Sequence, residues 1–275
     1  MPTAAPLDLV ASIRGRRALV TGGSVGIGRN SVESLLAHGA TVAFTYNRHV
    51  EEARSLAAAH LGRASCHFLD LRDPKSIVAC FDEFQHRWGQ LDVLVNNAAV
   101  GTATVAQYEP DPLQKDRALF EINAMGSFEV AQNGLRLMKA QAAGGPPRKL
   151  INVSSVGGLQ VFPSMRLADN MSKAAIVYMT QQLAAELVHE PIDVFGVCPG
   201  ATDTEMFRSS TLKGMNEKEQ RRFCSRLPKG RLIRPEEVAE VVVFLASGYS
   251  TVMHGSVLDL SMGLGVHPGL LTGAP

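Results

Sequence analysis

The sequence predicts a doubly wound α/β fold, in which helices cover both faces of a seven-stranded, mostly parallel sheet. Short apolar runs rich in β-branched residues alternate with longer stretches of helical period, and right-handed crossover connections join such strands in parallel. The seven runs read as strands are RALVTGG, TVAFTY, ASCHFLDL, LDVLVNNA, KLINVSS, IDVFGVCPG and GSVLDLS. A single domain over residues 1–275 is expected, because this length suits one α/β unit.

Two helix boundaries are marked clearly enough to predict from the chain alone. The stretch DPKSIVACFDEFQHRWG begins with Asp-Pro and ends at a glycine, and SVESLLAHG also ends at a glycine. Proline fits the first helical position, and glycine commonly follows the last one. Both stretches are therefore expected to be helices between strands.

Composition excludes several classes of partner. The chain has 27 basic and 26 acidic residues, a formal charge of +1, so no sequence-wide field attracts nucleic acid or an anionic membrane. No apolar run approaches the about 18 residues that a membrane span needs, and the four cysteines lack zinc-site spacing. We expect a cytoplasmic protein with reduced thiols, no metal site and a small-molecule partner.

A glycine-rich turn follows the first predicted strand and opens a helix. It reads TGGSVGIG over residues 21–28, with glycines at Gly22, Gly26 and Gly28. Glycine lets the backbone approach a pyrophosphate closely, and the helix N-terminus offers free N–H groups. The strand, turn and helix together predict a Rossmann-type dinucleotide-binding domain.

The end of the second strand favours NADP(H) over NAD(H). An NAD enzyme of this architecture usually places an acid there, whereas this chain reads FTYNRH with no acid before Glu51. Arg48 could pair with a 2′-phosphate, or it could be a surface arginine at a helix start. Asp70, which closes the third strand, could accept a hydrogen bond from the adenine amino group or cap the next turn.

Residues 202–231 interrupt the regular alternation after the sixth strand and are rich in lysine and arginine. Ligands of α/β sheets bind beyond the carboxyl ends of the strands, so an insertion there would cover the site as a substrate lid. A solvated amphipathic helix is the alternative.

Several motifs in matching order resemble the classical short-chain dehydrogenase/reductase family, from about Arg16 to Gly263. They are TGGSVGIG, NNAA at 96–99 in place of the family's NNAG, INAMGSF around Asn123, INVSSVGG with Ser155, the lysine Lys173, and CPGATDT at 198–204. The resemblance implies that Ser155 orients the reacting group, Lys173 holds the nicotinamide ribose and Asn123 binds a water. It also implies a homo-oligomer, a dimer or tetramer, built on the helices that hold Asn123 and Lys173.

The cofactor-binding residues predicted from the loop, the strand ends and the resemblance form one set. They are Gly22, Ser24, Gly26, Ile27, Gly28, Arg48, Asp70, Leu71, Asn97, Ala98, Lys173, Pro199, Gly200, Thr202 and Thr204.

One departure from the family pattern changes the expected chemistry. The catalytic tyrosine of YxxxK is replaced by Asp169 in DNMSK, one helical turn before Lys173. A carboxylate beside an ammonium is expected to be ionised, and an anion cannot protonate a nascent alkoxide. Tyr178, five residues beyond Lys173, is expected to turn away from it and pack in the core.

Three functions fit this pattern. The first is an NADP(H)-dependent reductase of an imine or iminium in a biosynthetic tailoring step, with Asp169 as counter-ion and Lys173, Ser155 and Asn123 as the other catalytic residues. The second is an NADPH-dependent reductase of an activated C=C bond or a carbonyl. The third is a cofactor-binding, non-catalytic partner subunit. A mostly apolar substrate wall is predicted from Val161, Phe162, Arg166 and Met206.

Overall fold

The computed structural model describes residues 7–141, 144–162 and 165–267. The outer ends of the predicted 1–275 domain lie outside these residues. The described residues form a seven-stranded sheet in the order β3-β2-β1-β4-β5-β6-β7. The strands are β1 Arg17–Val20, β2 Thr41–Tyr46, β3 Ala64–Phe68, β4 Val93–Asn96, β5 Arg148–Val153, β6 Ile192–Pro199 and β7 Val257–Leu260.

All six strand pairings are parallel, so the predicted doubly wound fold is confirmed. The order reverses between β1 and β4, which places a crevice beyond the carboxyl ends of these two strands. The helices are α1 Leu9–Ile13, α2 Gly26–Ala37, α3 Val50–Ala59, α4 Pro74–Trp88, α5 Thr102–Val105, α6 Pro112–Phe120, α7 Ser127–Lys139, α8 Leu167–Glu186, α9 Glu205–Phe207, α10 Glu217–Ser225 and α11 Pro235–Ala246.

The core lies in two layers, one on each face of the sheet. Phe44 and Phe195 are fully buried in the layer that includes α2 and α11, and Phe81 and Phe84 are buried in the layer that includes α4, α7 and α8. Burying a large apolar side chain contributes about 1.5–3 kcal/mol. Both faces of the sheet are therefore held by packed helices, and its carboxyl edge remains for a ligand.

The two predicted helix boundaries are confirmed. Helix α4 begins at Pro74 after Asp73, whose side chain accepts a hydrogen bond from the Lys75 amide, and it ends at Gly89 with φ of 71°. Helix α2 is followed by Gly39, whose φ is 88°. Among the described residues, no helix combines the length and apolar character that crossing a membrane requires.

The 202–231 segment is a helical excursion whose two ends are held together. Thr202 forms an isolated parallel bridge with Ile233, and Ile233 donates its amide to the Ala201 carbonyl at 2.8 Å. Between these ends lie α9, a π-helical turn at Arg208–Leu212 and α10. Ion pairs such as Arg208 with Asp203, at 2.6 Å, engage part of its positive charge.

Candidate active site and dinucleotide cradle

The turn from β1 to α2 provides a close approach for a ligand. Gly22 and Gly26 have φ of 67° and 58°, in the left-handed region that favours glycine. At Gly28 a Cβ atom would lie 2.1 Å from the Gly22 carbonyl oxygen, so no larger residue fits. The N-cap of α2 is Val25, which has no side-chain cap, so the first N–H groups of the helix remain available to an anion.

A hydrogen-bonded latch fixes this turn to the end of β4. Asn97 donates from Nδ2 to the carbonyls of Thr21 and Gly22 at 2.9 and 3.2 Å. The Thr21 hydroxyl accepts hydrogen bonds from the amides of Asn97 and Ala98 at 2.9 and 3.0 Å. The predicted cofactor residues Asn97 and Ala98 thus lie directly against the glycine turn.

Two further predicted cofactor residues border the same crevice at the start of the 202–231 segment. Thr204 contacts Gly26, since its Cγ2 lies 3.3 Å from the position of a Cβ there. Its hydroxyl accepts from the Phe207 amide at 3.2 Å and begins α9. Thr202 is buried and donates its hydroxyl to the Gly200 carbonyl at 3.0 Å. Pro199, Gly200, Thr202 and Thr204 therefore connect β6 to the glycine turn.

At the other end of the crevice, Arg48 and Asp70 lie on neighbouring strand ends, and each has a protein partner. Arg48 is exposed and donates to the Gln107 side-chain oxygen at 3.0 Å. The Asp70 carboxylate accepts three hydrogen bonds from the guanidinium of Arg72, the shortest at 2.6 Å. Leu71, between Asp70 and Arg72 in sequence, contacts Gly126.

Asn123 lies on a π-helical turn, Glu121–Gly126, between α6 and α7. Its side chain is fully buried and bonds the backbone of Val100 in both directions, at 2.8 and 3.0 Å. The same amide donates to Asp169 Oδ1 at 3.5 Å. Such π-bulges are frequent at functional sites, and this one brings the loop after β4 and the start of α8 together at one amide.

The two serines at the end of β5 have different tasks. Ser154 donates its hydroxyl to the Lys173 carbonyl at 2.7 Å, which ties the strand to α8. At Gly158 a Cβ would lie 2.6 Å from the same carbonyl, so glycine permits this close packing. Ser155 is half-buried, and its oxygen accepts from the Gly157 amide at 3.2 Å. Its O–H therefore remains a donor for a bound ligand.

The lysine of the site lies in a low-dielectric position. Burial lowers the pKa of Lys173 from its ordinary value, and the charge of Asp169 acts in the opposite direction and raises it. The thiol of Cys198, on β6, lies close enough to interact with the same ammonium, and burial raises the pKa of this thiol to about 11. Cys198 is therefore a neutral neighbour at physiological pH.

The structure brings Asp169, Asn123 and Lys173 together as predicted. The four predicted substrate residues differ in burial and in their partners, so they do not form one wall. Val161 and Met206 are exposed, at 79% and 43%. Phe162 is buried in a cluster with Val156 and Leu264, so its side chain does not contribute to an exposed substrate surface. The Arg166 guanidinium is held by the Asp116 carboxylate and the Pro112 carbonyl, so its charge is engaged between α6 and α8.

Several participants were missed by sequence reasoning. Ser154 bonds the Lys173 carbonyl, Val100 bonds the Asn123 side chain, and Arg72 and Tyr108 lie beyond the ends of the strands next to β1. The pattern SS before the glycines was the one signal that pointed to Ser154. The predicted core packing of Tyr178 was wrong: its side chain is 69% exposed, because the outer face of α8 has no covering element in the described chain. Within the described ranges, no three His, Cys, Asp or Glu residues cluster as metal ligands.

A nucleotide-binding turn at a parallel-sheet switch point, with a lysine, a serine and an asparagine beside it, defines a dinucleotide-dependent oxidoreductase of the doubly wound class. The family comparison agrees: residues 22–265 match the family model described as enoyl-(acyl carrier protein) reductase. The chain belongs to the short-chain dehydrogenase/reductase family, whose members use a nicotinamide dinucleotide.

Individual relatives cover nearly the whole chain. A rhamnolipids biosynthesis 3-oxoacyl-[acyl-carrier-protein] reductase of Pseudomonas aeruginosa is 32% identical over 255 residues, 92% of this chain and 97% of that protein. A sorbitol dehydrogenase of Cereibacter sphaeroides is 32% identical over 85% of this chain and 91% of its own length. The solved structure of the RhlG/NADP active-site complex of Pseudomonas aeruginosa has a TM-score of 0.82 at 30% identity, covering 94% of this chain and 100% of that one.

The residues present fit a nicotinamide dinucleotide. The cradle at Gly28, the free helix N-terminus and the Asn97 latch suit a pyrophosphate. The RhlG structure is a complex with NADP. A 3-ketoacyl-(acyl-carrier-protein) reductase from Brucella melitensis was solved with NADH. That second structure is 26% identical, has a TM-score of 0.80, and covers 92% of this chain and 99% of its own. The oxidoreductase class and the nicotinamide cofactor predicted from the sequence are thereby confirmed.

Proposed function

We propose that this chain is an NADP(H)-dependent reductase of an imine or iminium in a largely apolar small molecule, acting without a tyrosine proton donor in a biosynthetic tailoring step. The observation that carries the proposal is the Asp169 carboxylate, held by the Asn123 amide at 3.5 Å and electrostatically coupled to Lys173. It occupies the position where the family pattern has a phenol.

The chemistry suits a carboxylate at this position. A reduced dinucleotide supplies the hydride when bound. A protonated imine becomes a neutral amine when its carbon accepts a hydride, so no further acid is needed. Asp169 would stabilise the protonated imine through its charge. Tight pairing between the Asp169 carboxylate and the iminium also stabilises the ground state. Asp169 therefore contributes by keeping the imine protonated and oriented rather than by lowering the barrier directly.

The other site residues would position the reactants. Ser155 offers its O–H to a polar substrate atom, and Lys173 would hold the nicotinamide ribose. Asn123 fixes the Asp169 carboxylate to the loop at Val100. Residues that pre-orient reacting groups contribute by removing the entropy cost of alignment.

The substrate would be largely apolar. Val161 and Met206 expose apolar side chains, at 79% and 43%. Met206, on the 202–231 segment, packs against Gly101, with its Cγ 3.0 Å from the position of a Cβ there. This contact supports the interpretation of the segment as a substrate lid that reaches across to the loop after β4.

A reductase of an activated C=C bond or a carbonyl is the second candidate. The matching family model is described as an enoyl-(acyl carrier protein) reductase, and relatives are 3-oxoacyl-[acyl-carrier-protein] reductases. In this candidate, water or a substrate group would supply the proton, because enolate protonation is readily left to solvent.

A substrate panel separates these candidates. NADPH consumption is measured with a cyclic imine, a conjugated enone, a ketone and a 3-oxoacyl thioester under identical conditions. The imine is expected to be reduced with the highest kcat/KM. Faster turnover of the enone or thioester would transfer the assignment to the second candidate, and tight NADPH binding without any turnover would indicate a non-catalytic partner.

We also propose that the protein is a homo-oligomer assembled through the face formed by α6, the π-helical turn and α8. A groove of about 690 Å³ lies there, lined partly by Met125, Leu167 and Met171, whose side chains are 48%, 72% and 50% exposed. Exposed apolar residues in one contiguous patch mark interaction sites. The charged groups Asp116, Arg117 and Glu121 border the same groove.

A cytoplasmic location stays a prediction from the sequence.

Replacing Met171 with glutamate is expected to shift the protein from oligomer to monomer, because a carboxylate would be desolvated in the interface. Light scattering after size exclusion measures the mass. Leu61→Glu is the control, since Leu61 is 86% exposed in the turn after α3. An unchanged mass for the Met171 variant would contradict this interface.

A further inference from the structure

An ion pair joins α6 to the start of α8, one helical turn before Asp169. The Arg166 guanidinium donates through Nε to the Asp116 carboxylate and through Nη2 to the Pro112 carbonyl at 2.9 Å. Arg166 directly precedes α8, whereas Pro112 and Asp116 lie in the first two turns of α6. The guanidinium is therefore bound to α6 and not to the helix that it precedes.

A second carboxylate lies within reach of Arg166. Asp169 is three residues further along and belongs to the first turn of α8. Side chains three positions apart are neighbours on a helix surface, and an arginine and an aspartate placed in this way attract each other. An arginine released from Asp116 would therefore pair with Asp169.

The Asp169 carboxylate has other partners in this structure. Within the described part of the chain it accepts a side-chain hydrogen bond from Asn123 at 3.5 Å, and its charge acts on Lys173, one turn further along α8. Arg166 pairs with Asp116 instead. A guanidinium bound at Asp169 would offset the negative charge that the proposed reaction uses.

The two acceptors on α6 hold Arg166 in a definite orientation. The side chains of Arg166 and Asp116 are 31% and 37% exposed, so water screens their attraction only in part. The planar guanidinium directs its N–H donors in a fixed geometry, and hydrogen bonds to a carboxylate are strengthened by the charges. The Asp116 carboxylate and the Pro112 carbonyl thus satisfy two of these donors together.

We propose that Asp116 is a positioning residue of the active site: it retains the Arg166 guanidinium on α6, so that the Asp169 carboxylate stays available to a cationic substrate. This inference rests on the proposed role of Asp169 as counter-ion. It also gives Arg166, which the sequence placed in the substrate wall, a different task, because its guanidinium acts on the site through the partner that it chooses.

Three variants test this role through kcat/KM for a cyclic imine. Asp116→Asn releases Arg166 and is expected to lower kcat/KM about tenfold, because an arginine at Asp169 lowers the pKa of the bound iminium by about one unit. Arg166→Gln removes the competing cation and should lower kcat/KM less. The double variant Asp116→Asn with Arg166→Gln should recover most of the loss caused by Asp116→Asn. A pair that only ties the two helices together predicts a double variant no better than either single one.

The pH dependence of NADPH binding provides a second readout that needs no substrate. The charge of Asp169 raises the pKa of Lys173, whose other titratable neighbour is the neutral thiol of Cys198. Pairing of Arg166 with Asp169 offsets this effect, so Lys173 loses its proton at a lower pH. The alkaline limb of NADPH binding should therefore move to lower pH in Asp116→Asn and return to its original position in the double variant.

Asp82→Asn is the matched control, because Asp82 also pairs with an arginine of a neighbouring helix, Arg136 of α7 at 3.5 Å. It should keep both kcat/KM and the pH dependence of NADPH binding. Asp116 borders the groove that is proposed as the subunit interface. Asp116→Asn and the double variant both lack this charge, so the difference between them reports on Arg166 alone.

A double variant no more active than Asp116→Asn, with an alkaline limb equally displaced, would overturn the inference. Its failure is separable from that of the proposed function. If Asp169→Asn is fully active, the counter-ion role fails, and the alkaline limb of NADPH binding still shows whether Arg166 reaches Asp169. If Asp169→Asn is impaired and Asp116→Asn matches the parent in both readouts, only the role of Asp116 fails.

Discussion

Replacing Asp169 with asparagine is expected to lower kcat/KM for a cyclic imine about tenfold for each unit by which the pKa of the bound iminium falls, because a smaller fraction of the bound imine is then protonated. The amide keeps the shape and can still meet Asn123, but it lacks the charge that favours the protonated imine. Steady-state NADPH oxidation across pH measures the loss. Reduction of an enone should change little, since its proton source is not this group.

A second readout in the same variant follows from Lys173. The charge of Asp169 raises the lysine pKa against the larger lowering by burial. Removing that charge leaves the lysine pKa still lower, so Lys173 loses its proton at a lower pH. The alkaline limb of the pH dependence of NADPH binding is therefore expected to move to lower pH in Asp169→Asn.

Glu186→Gln is the matched control for charge removal on the same helix, because Glu186 ends α8 and bonds an exposed Gln182 at 2.9 Å. It should keep both activity and pH profile. A fully active Asp169→Asn enzyme would refute the role of the carboxylate as counter-ion. Asp169→Tyr is complementary: a gain of ketone reduction would show that the remaining groups still support carbonyl chemistry.

The parts of the fold that could be predicted are those determined by local sequence. Apolar runs gave the seven strands, and Asp73 with Pro74 and Gly89 gave the ends of α4. The glycine turn was predictable because a close backbone approach excludes every other residue at Gly28. Sequence order alone also placed Asp169 one turn from Lys173.

The parts that could not be predicted depend on contacts between distant residues. The π-helical turn at Asn123 is held by Val100, 23 positions earlier, and by Asp169, 46 positions later. Arg72 and Tyr108 meet only after two strands have paired. Tyr178 was expected to turn away from Lys173 and pack in the core, but its side chain is exposed, because burial depends on what covers each face of the helix.

A buried ion pair near the amino ends of β5 and β6 is expected to contribute strongly to the free energy of unfolding. Lys149, near the start of β5, is fully buried, and its ammonium lies 2.5 Å from Asp193 on β6. Hydroxyls of Ser250 and Thr251 also contact the ammonium, at 3.2 and 3.0 Å. Burial lowers the lysine pKa, and the Asp193 contact raises it in part.

Lys149→Met is expected to destabilise the protein by about 3–5 kcal/mol, because it leaves the Asp193 charge buried without its cation. This corresponds to a fall in melting temperature of roughly 6–20 °C, measured by calorimetry or circular dichroism. The exposed Lys139→Met, at the end of α7, is the control and should change stability by less than about 0.5 kcal/mol.

The double variant Lys149→Met with Asp193→Leu separates the pair from the packing. Replacing both charges with apolar groups removes the uncompensated carboxylate, so the double variant should be more stable than Lys149→Met alone. Lys149 and Asp193 lie near the amino ends of β5 and β6, whereas Ser155 and the glycine turn follow the carboxyl ends of β5 and β1. NADPH affinity should therefore persist in every folded variant. A Lys149→Met protein as stable as the parent would show that the hydrogen bond from Thr251, at 2.8 Å, and the contact with His254, at 3.5 Å, suffice to hold the Asp193 carboxylate.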